Sequence, residues 1–180
     1  MQKKVYTNPL IGDKAVFLKT AEETNGEYSL IEVELAPGGG NTLHSHRDFT
    51  ETFVPLEGEL LIRNGDRQMV LKPGEKATVP VNALHLFKNP GDKPIKFHVE
   101  LRPGHSGFEN CIKIAYGLAT DGLTTKKSMP KSFSHAAILL TLSGTYPNGI
   151  FSLLVPIMKW QAARARKKGI ERMLMDKYCR

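Results

Sequence analysis

Cysteine, tryptophan and long apolar runs are what this 180-residue sequence has least of. The two cysteines, Cys111 and Cys179, stand far apart and make no metal-ligand spacing, so a disulfide scaffold and a zinc ribbon are excluded and each is expected as an unbridged thiol. A membrane-spanning helix needs about 20 apolar residues in a row. The longest candidates, AAILLTL (136–142) and IFSLLVPIM (150–158), are divided by SGTYPNG and fall well short of that length. The opening MQKKVYTNPLIGDK lacks the apolar run of a secretory signal, and the expectation is a cytoplasmic protein. No glycine-rich phosphate loop, nucleophile elbow or C-x-x-C pattern occurs.

Acidic residues are missing from one region only. Residues 122–180 carry eleven Lys and Arg against two Asp and Glu, with none between Asp121 and Glu171, whereas the first 121 residues are nearly neutral. The formal charge of +7 therefore belongs to the tail and is no general nucleic-acid signal; with Trp160 alone among the charges, nucleic acid is disfavoured as a partner.

What is present is a cluster with chemistry. The stretch GGGNTLHSHRDFTETFVPLEG (38–58) places His44 and His46 two apart, on one face of a β-strand, with Glu51 following. A second stretch, GEKATVPVNALHLFKN (74–89), adds His85 if its strand lies beside the first. Imidazole and carboxylate together suit iron, manganese, nickel or zinc. The lone His98 and His135 are read as structural.

These two stretches resemble the cupin family. The motif G-x5-H-x-H-x4-E-x6-G is matched by Gly38, His44, His46, Glu51 and Gly58, and G-x5-P-x-G-x2-H-x3-N by Gly74, Pro80, His85 and Asn89. Asn82 stands at the remaining glycine position, and asparagine tolerates the positive φ expected there. The resemblance implies one divalent transition metal held by His44, His46, Glu51 and His85. It implies a mainly β fold, the cupin double-stranded β-helix or jelly-roll barrel, over residues 14–103. It also suggests that Glu51 acts as a proton acceptor beside its role as ligand. Homodimerisation is expected from the family and from an apolar tail that needs a partner.

Strand signals agree with a barrel. AVFLKT and EYSLIEVEL are separated by Asn25 and Gly26, ELLIR and RQMVLK by a hairpin at Asn64 and Gly65, and IKFHVEL closes the series. Residues 1–13 carry no period and are read as an N-terminal arm. Beyond Arg102 the period becomes helical: Ser106 is the expected N-cap of an amphipathic helix with Phe108, Cys111, Ile112, Ala115 and Leu118 on one face. Residues 104–180 form a C-terminal helical extension, comprising an apolar helical hairpin (136–158) and a basic helix (159–180) with Pro156 in its first turn and Gly169 as its weakest point. The hairpin is expected to pack on the barrel or on a second copy, and the alternative use of the tail is peripheral contact with an anionic membrane.

The functional expectation is a metal-dependent dioxygenase or related oxidoreductase acting on a small organic molecule. Phe53, Met69 and Phe87 are the expected pocket wall, by strand parity with the ligands, although the same residues serve equally as barrel filling. The alternative is a non-enzymatic metal or small-molecule binding module. An isomerase or epimerase is third, because it would want a His and Tyr pair and no tyrosine falls within either motif.

Overall fold

A computed structural model describes residues 4–179. Ten strands come first: β1 (Lys4–Asn8), β2 (Asp13–Lys19), β3 (Ser29–Leu35), β4 (His44–His46), β5 (Thr50–Glu57), β6 (Leu60–Asn64), β7 (Arg67–Leu71), β8 (Ala77–Val79), β9 (His85–Lys88) and β10 (Ile95–Arg102). Then follow α1 (Ser106–Thr120), α2 (Phe133–Ser143), β11 (Thr145–Pro147), a 3-10 helix over Gly149–Leu154, α3 (Val155–Lys167) and α4 (Ile170–Tyr178). The strands make two antiparallel sheets, in the orders β1-β2-β3-β10-β5-β8 and β11-β4-β9-β6-β7. This is the jelly roll, and its filling follows from alternation. In β10 the side chains of Ile95, Phe97, Val99 and Leu101 turn inward, and in β5 Glu51 shares the inward parity of Phe53.

The motif residues outside the ligand set have structural work. Gly58 has φ +77°, and a Cβ there would lie 2.4 Å from Ile95 Cγ2, so the close approach of β5 to β10 at this turn requires glycine. Asn82 adopts φ +65°, as its position in the motif implies. Asn89 is fully buried, where its amide donates to the carbonyls of Leu35 (3.1 Å) and Lys93 (2.8 Å) and accepts from Gly91 N–H (2.9 Å), pinning β9 to the loop before β10.

Four sequence expectations are corrected. The segment read as an arm contains β1, which pairs with β2 and gains its hydrogen bonds there rather than from any period of its own; residues 1–3 lie outside the described ones. The hairpin turn is Gly65-Asp66, because Asn64 is still paired, with Arg67. The N-cap of α1 is His105, whose Nδ1 accepts from Phe108 N–H at 2.9 Å, and Ser106 is the first helical residue. The largest change concerns SGTYPNG, which is more than a helical-hairpin turn. Gly144 takes a left-handed conformation (φ +61°) at the end of α2, and Thr145–Pro147 then become an edge strand on β4, with Thr145 opposite His46 and Pro147 opposite His44. Pro147, lacking an N–H, is tolerated because the strand lies at an edge.

The extension packs on the barrel. Glu109 of α1 is buried, and its Oε1 accepts from Ala21 N–H (2.7 Å) and Ser29 Oγ–H (2.6 Å), which seats the helix on the β2–β3 end of the sheet. Phe108, Ile112 and Tyr116 meet Ala15, Phe17 and Ile31 of the sheet. On its other side α1 joins α2, α3 and α4 in a second core built on Ile114, Leu118, Ile138, Leu139, Ala165 and Leu174. The run from α3 into α4 breaks at Gly169 (φ +73°), the position read as weakest.

Candidate metal centre

His44 and His46 are presented by β4, Glu51 by β5 and His85 by β9, where His85 pairs directly with His44 across the ladder. All four are buried, and their ligand atoms lie within 4.8 Å of one another. Nε2 of His44 and His46 are 3.0 Å apart, His46 Nε2 is 3.6 Å from Glu51 Oε2, and His85 Nε2 is 2.7 Å from that same oxygen. Ligand atoms about 2.1 Å from a common centre stand about 3 Å apart when adjacent and about 4.2 Å when opposite, so this spacing already approximates a coordination sphere.

Backbone carbonyls set the tautomers. His44 Nδ1–H donates to Thr42 O (2.8 Å) and His85 Nδ1–H to Ala83 O (3.0 Å), which aims each Nε2 at the cluster. Nδ1 of His46 is buried without a well-formed hydrogen bond, Gly144 being the backbone group that approaches it. Burial lowers the basicity of His44, and pushes His46 down to about 4 against the pull of Glu51. Both shifts favour the neutral rings a metal requires, and the tautomer of His46 decides whether the two Nε2 atoms, 3.0 Å apart, share a hydrogen bond or present two lone pairs to a cation. Burial alone would raise Glu51, but the hydrogen bond from His85 and the nearby imidazoles hold it below the ordinary carboxylate range. The same pair works on His85, where Glu51 outweighs burial and raises it. The residues present thus fit a divalent transition metal, with a proton on His85 standing where metal charge would serve.

The cluster faces a cavity of about 490 Å³ between the barrel and the helical extension. His44, Glu51 and Phe87 belong to its wall together with Ile31, Val33 and Val99 from the barrel. The opposite wall is supplied by Phe108, Cys111, Ile112 and Tyr116 of α1, Leu139 and Leu140 of α2, and Met158 of α3. Of the three expected wall residues, Phe87 lines this cavity. Phe53 is fully buried in the core between the sheets, with its ring 6.5 Å from that of His85, and Met69 packs against the same core. His98 pairs instead with Glu32 (3.6 Å), away from the cluster.

Tyr116 and Asp13 are among the polar residues on the wall that escaped the sequence reading. Tyr116 continues the Phe108 and Ile112 spacing by one helical turn, a signal that was available; burial raises the pKa of its hydroxyl. Asp13 begins β2 and had no local signal. Cys111 is no candidate nucleophile, since burial pushes its thiol up to about 12 although a hydrogen bond with Ser143 pulls the other way.

Asp13 yields a test of stability. Burial raises its carboxyl from 3.8 to about 6, outweighing the hydrogen bond from Ala36 N–H. The folded chain holds this proton more tightly than the unfolded chain, so the contribution is full below about pH 4 and is lost as the pH rises through 6. A shift of this size corresponds to about 3 kcal/mol. Asp13→Asn is expected to be more stable than the wild type by about 2–3 kcal/mol at pH 8, with the difference vanishing near pH 4. Urea denaturation at the two pH values measures it, and a difference independent of pH would contradict the assignment.

Comparison with known proteins agrees with the geometry. The cupin domain family matches residues 31–102, the span that contains both motifs and all four candidate ligands. Residues 31–102 are a cupin domain. Among curated relatives, the quercetin 2,3-dioxygenase of Bacillus subtilis is 30% identical over 80 residues, covering 44% of this chain and 24% of that protein. A germin-like protein of Arabidopsis thaliana, subfamily 1 member 7, is 37% identical over 71 residues, covering 35% of this chain and 31% of the relative. The chain thus spans less than half the length of these relatives, and the likeness is confined to the cupin domain. An RmlC-like cupin from Shewanella frigidimarina superposes with a TM-score of 0.51 at 20% identity, over 59% of this chain and 89% of its own. A predicted oxalate decarboxylase from Thermotoga maritima does so with a TM-score of 0.50 at 18% identity, over 57% and 93%. At these identities the structural likeness speaks to the fold of the cupin domain.

Proposed function

We propose that the chain is a metal-dependent oxidoreductase of the dioxygenase kind, acting on a small and largely apolar organic molecule. The observation that carries this reading is a buried three-histidine, one-glutamate donor set, of which His44 and Glu51 line the wall of a cavity of about 490 Å³ whose other walls are mostly apolar. The relative named as a quercetin 2,3-dioxygenase supports it.

His44, His46, Glu51 and His85 would hold the metal, which would supply Lewis-acid and redox chemistry at that wall. The chain's own residues then have separable tasks. Phe87, Val99, Phe108 and Leu139 bind the apolar body of the substrate and exclude water from it. Glu51, a buried carboxylate on the cavity wall with Oε2 2.7 Å from His85 Nε2, takes the proton of a substrate hydroxyl as the molecule seats. Asn41 and Thr42 lie on the same wall and can hydrogen-bond a polar substituent.

A second reading has an observation of its own. Tyr116 and Asp13 stand on the cavity wall with His44, which brings the tyrosine that an isomerase or epimerase needs, from outside either motif. Elemental analysis of the purified protein, followed by oxygen uptake with a panel of phenolic and diketone compounds, separates the readings. Near-stoichiometric iron, manganese or nickel with oxygen consumption is the expected result. Bound metal with no uptake by any compound would overturn the dioxygenase reading in favour of the isomerase or of a non-catalytic binding module.

A further inference from the structure

Gly149–Leu154 and the start of α3 leave large apolar side chains in water. Ile150 is 75% exposed, Phe151 64%, Leu153 73%, Ile157 52% and Trp160 61%. None of the residues of the 3-10 helix is buried. A contiguous exposed patch of this kind marks an interaction surface.

The helix that follows divides lengthwise. Ala162 and Ala165 are buried in the extension, while Ile157, Trp160, Arg164 and Lys168 recur at helical spacing on another face. That face runs from apolar to basic, and the Arg164 guanidinium lies 5.6 Å from the centre of the Trp160 ring. Arg166, off this face, is engaged by Glu171 at 2.6 Å. Arg164, Lys167 and Lys168 make no ion pair among the described residues. The chain has no acidic residue from 122 to 170 to neutralise them.

Charge decides which partner suits the patch. A second copy docking through the same surface about a two-fold axis would bring this basic set towards its own counterpart. An anionic lipid surface compensates it, and it accepts apolar side chains at the boundary between headgroups and acyl chains. No helix among the described residues is long and apolar enough to cross a membrane, so the contact lies at the interface. We propose that Gly149–Lys168 is a docking surface for an anionic phospholipid bilayer. Ile150, Phe151, Leu153 and Trp160 enter the interface, and Arg164, Lys167 and Lys168 meet lipid phosphates. Met158, on the inner side of α3, lines the cavity, so the docked surface backs one wall of the ligand site. The proposal is independent of the metal chemistry.

Trp160 is the only tryptophan of the chain, and its emission reports on this surface directly. The test mixes the full-length protein with phosphatidylcholine vesicles, or with vesicles containing about one-third phosphatidylglycerol, and follows sedimentation and fluorescence. The expected result is at least about tenfold stronger partition to the anionic vesicles, with a blue shift of Trp160 emission and loss of binding in high salt. Substituting Phe151→Ser with Leu153→Ser, or Arg164, Lys167 and Lys168 together by Gln, is expected to weaken partition about tenfold or more. All of these side chains are exposed, and circular dichroism with metal content confirms that the variants fold. Failure to bind anionic vesicles, or binding that leaves Trp160 emission unmoved, would overturn the proposal. So would a dimer in sedimentation that the Phe151→Ser, Leu153→Ser variant dissociates, since a second copy would then cover the patch.

Discussion

His46→Ala and Glu51→Ala variants are expected to retain less than about a tenth of the metal bound by the wild type, measured by elemental analysis after purification in the same buffer. Each change does more than remove one donor. Without Glu51 three imidazoles converge in a buried site with no anion, so a dication would be held by neutral donors alone. Without His46, Glu51 loses one of the imidazoles that hold its charge, and His44 faces a cavity at the spot its Nε2 now shares. A ligand that binds only the folded chain stabilises it by about 2.7 kcal/mol when present at a hundred times its dissociation constant. Chelation should accordingly lower the melting temperature of the wild type by several degrees and leave both variants unchanged. Full metal stoichiometry in both variants would sink the site.

Deletion of residues 122–180 is expected to abolish a soluble native fold. The deletion removes Ile138, Leu139, Ala165 and Leu174, one whole side of the second core, and leaves Ile114 and Leu118 of α1 facing water. Each fully buried aliphatic side chain of this size contributes about 1.5–3 kcal/mol, so a handful of them is comparable with the whole stability of a domain. The deletion also takes β11 from β4, exposing the backbone edge of the strand that carries His44 and His46, and opens the cavity wall formed by α2 and α3. Inclusion bodies, or a soluble product that binds a hydrophobic dye and melts without cooperativity, would be the outcome. A monomeric barrel with native melting and full metal content would show that the extension is an appendage.

Much of the candidate site was legible because its geometry is local. Two histidines at i and i+2 must share a face of any strand, and Glu51 must share the parity of Phe53. The turn positions were legible for the same reason, since Gly58 and Asn82 answer to backbone conformations that few residues accept. The apolar face of α1 could be read as well, but not that the helix has two partners. Phe108 and Ile112 serve the barrel, while Ala115 and Leu118 serve the helical core.

What escaped the sequence depends on contacts between distant segments. Thr145–Pro147 has turn composition, and becomes a strand because β4 offers it an unpaired edge. Asp13 and Tyr116 reach the cavity because β2 and α1 meet there, from residues a hundred positions apart. Parity told that Phe53, Met69 and Phe87 face inward; all three meet core side chains, and only the fit of the two sheets decided that Phe87 alone of them also reaches the cavity. The sequence by itself determined the candidate ligand set, the barrel and the charge of the tail, all properties of short-range pattern. The tertiary structure decided that the extension walls the cavity, and which of its apolar side chains remain in water, because burial depends on how whole surfaces complement one another and no short window of residues contains that information.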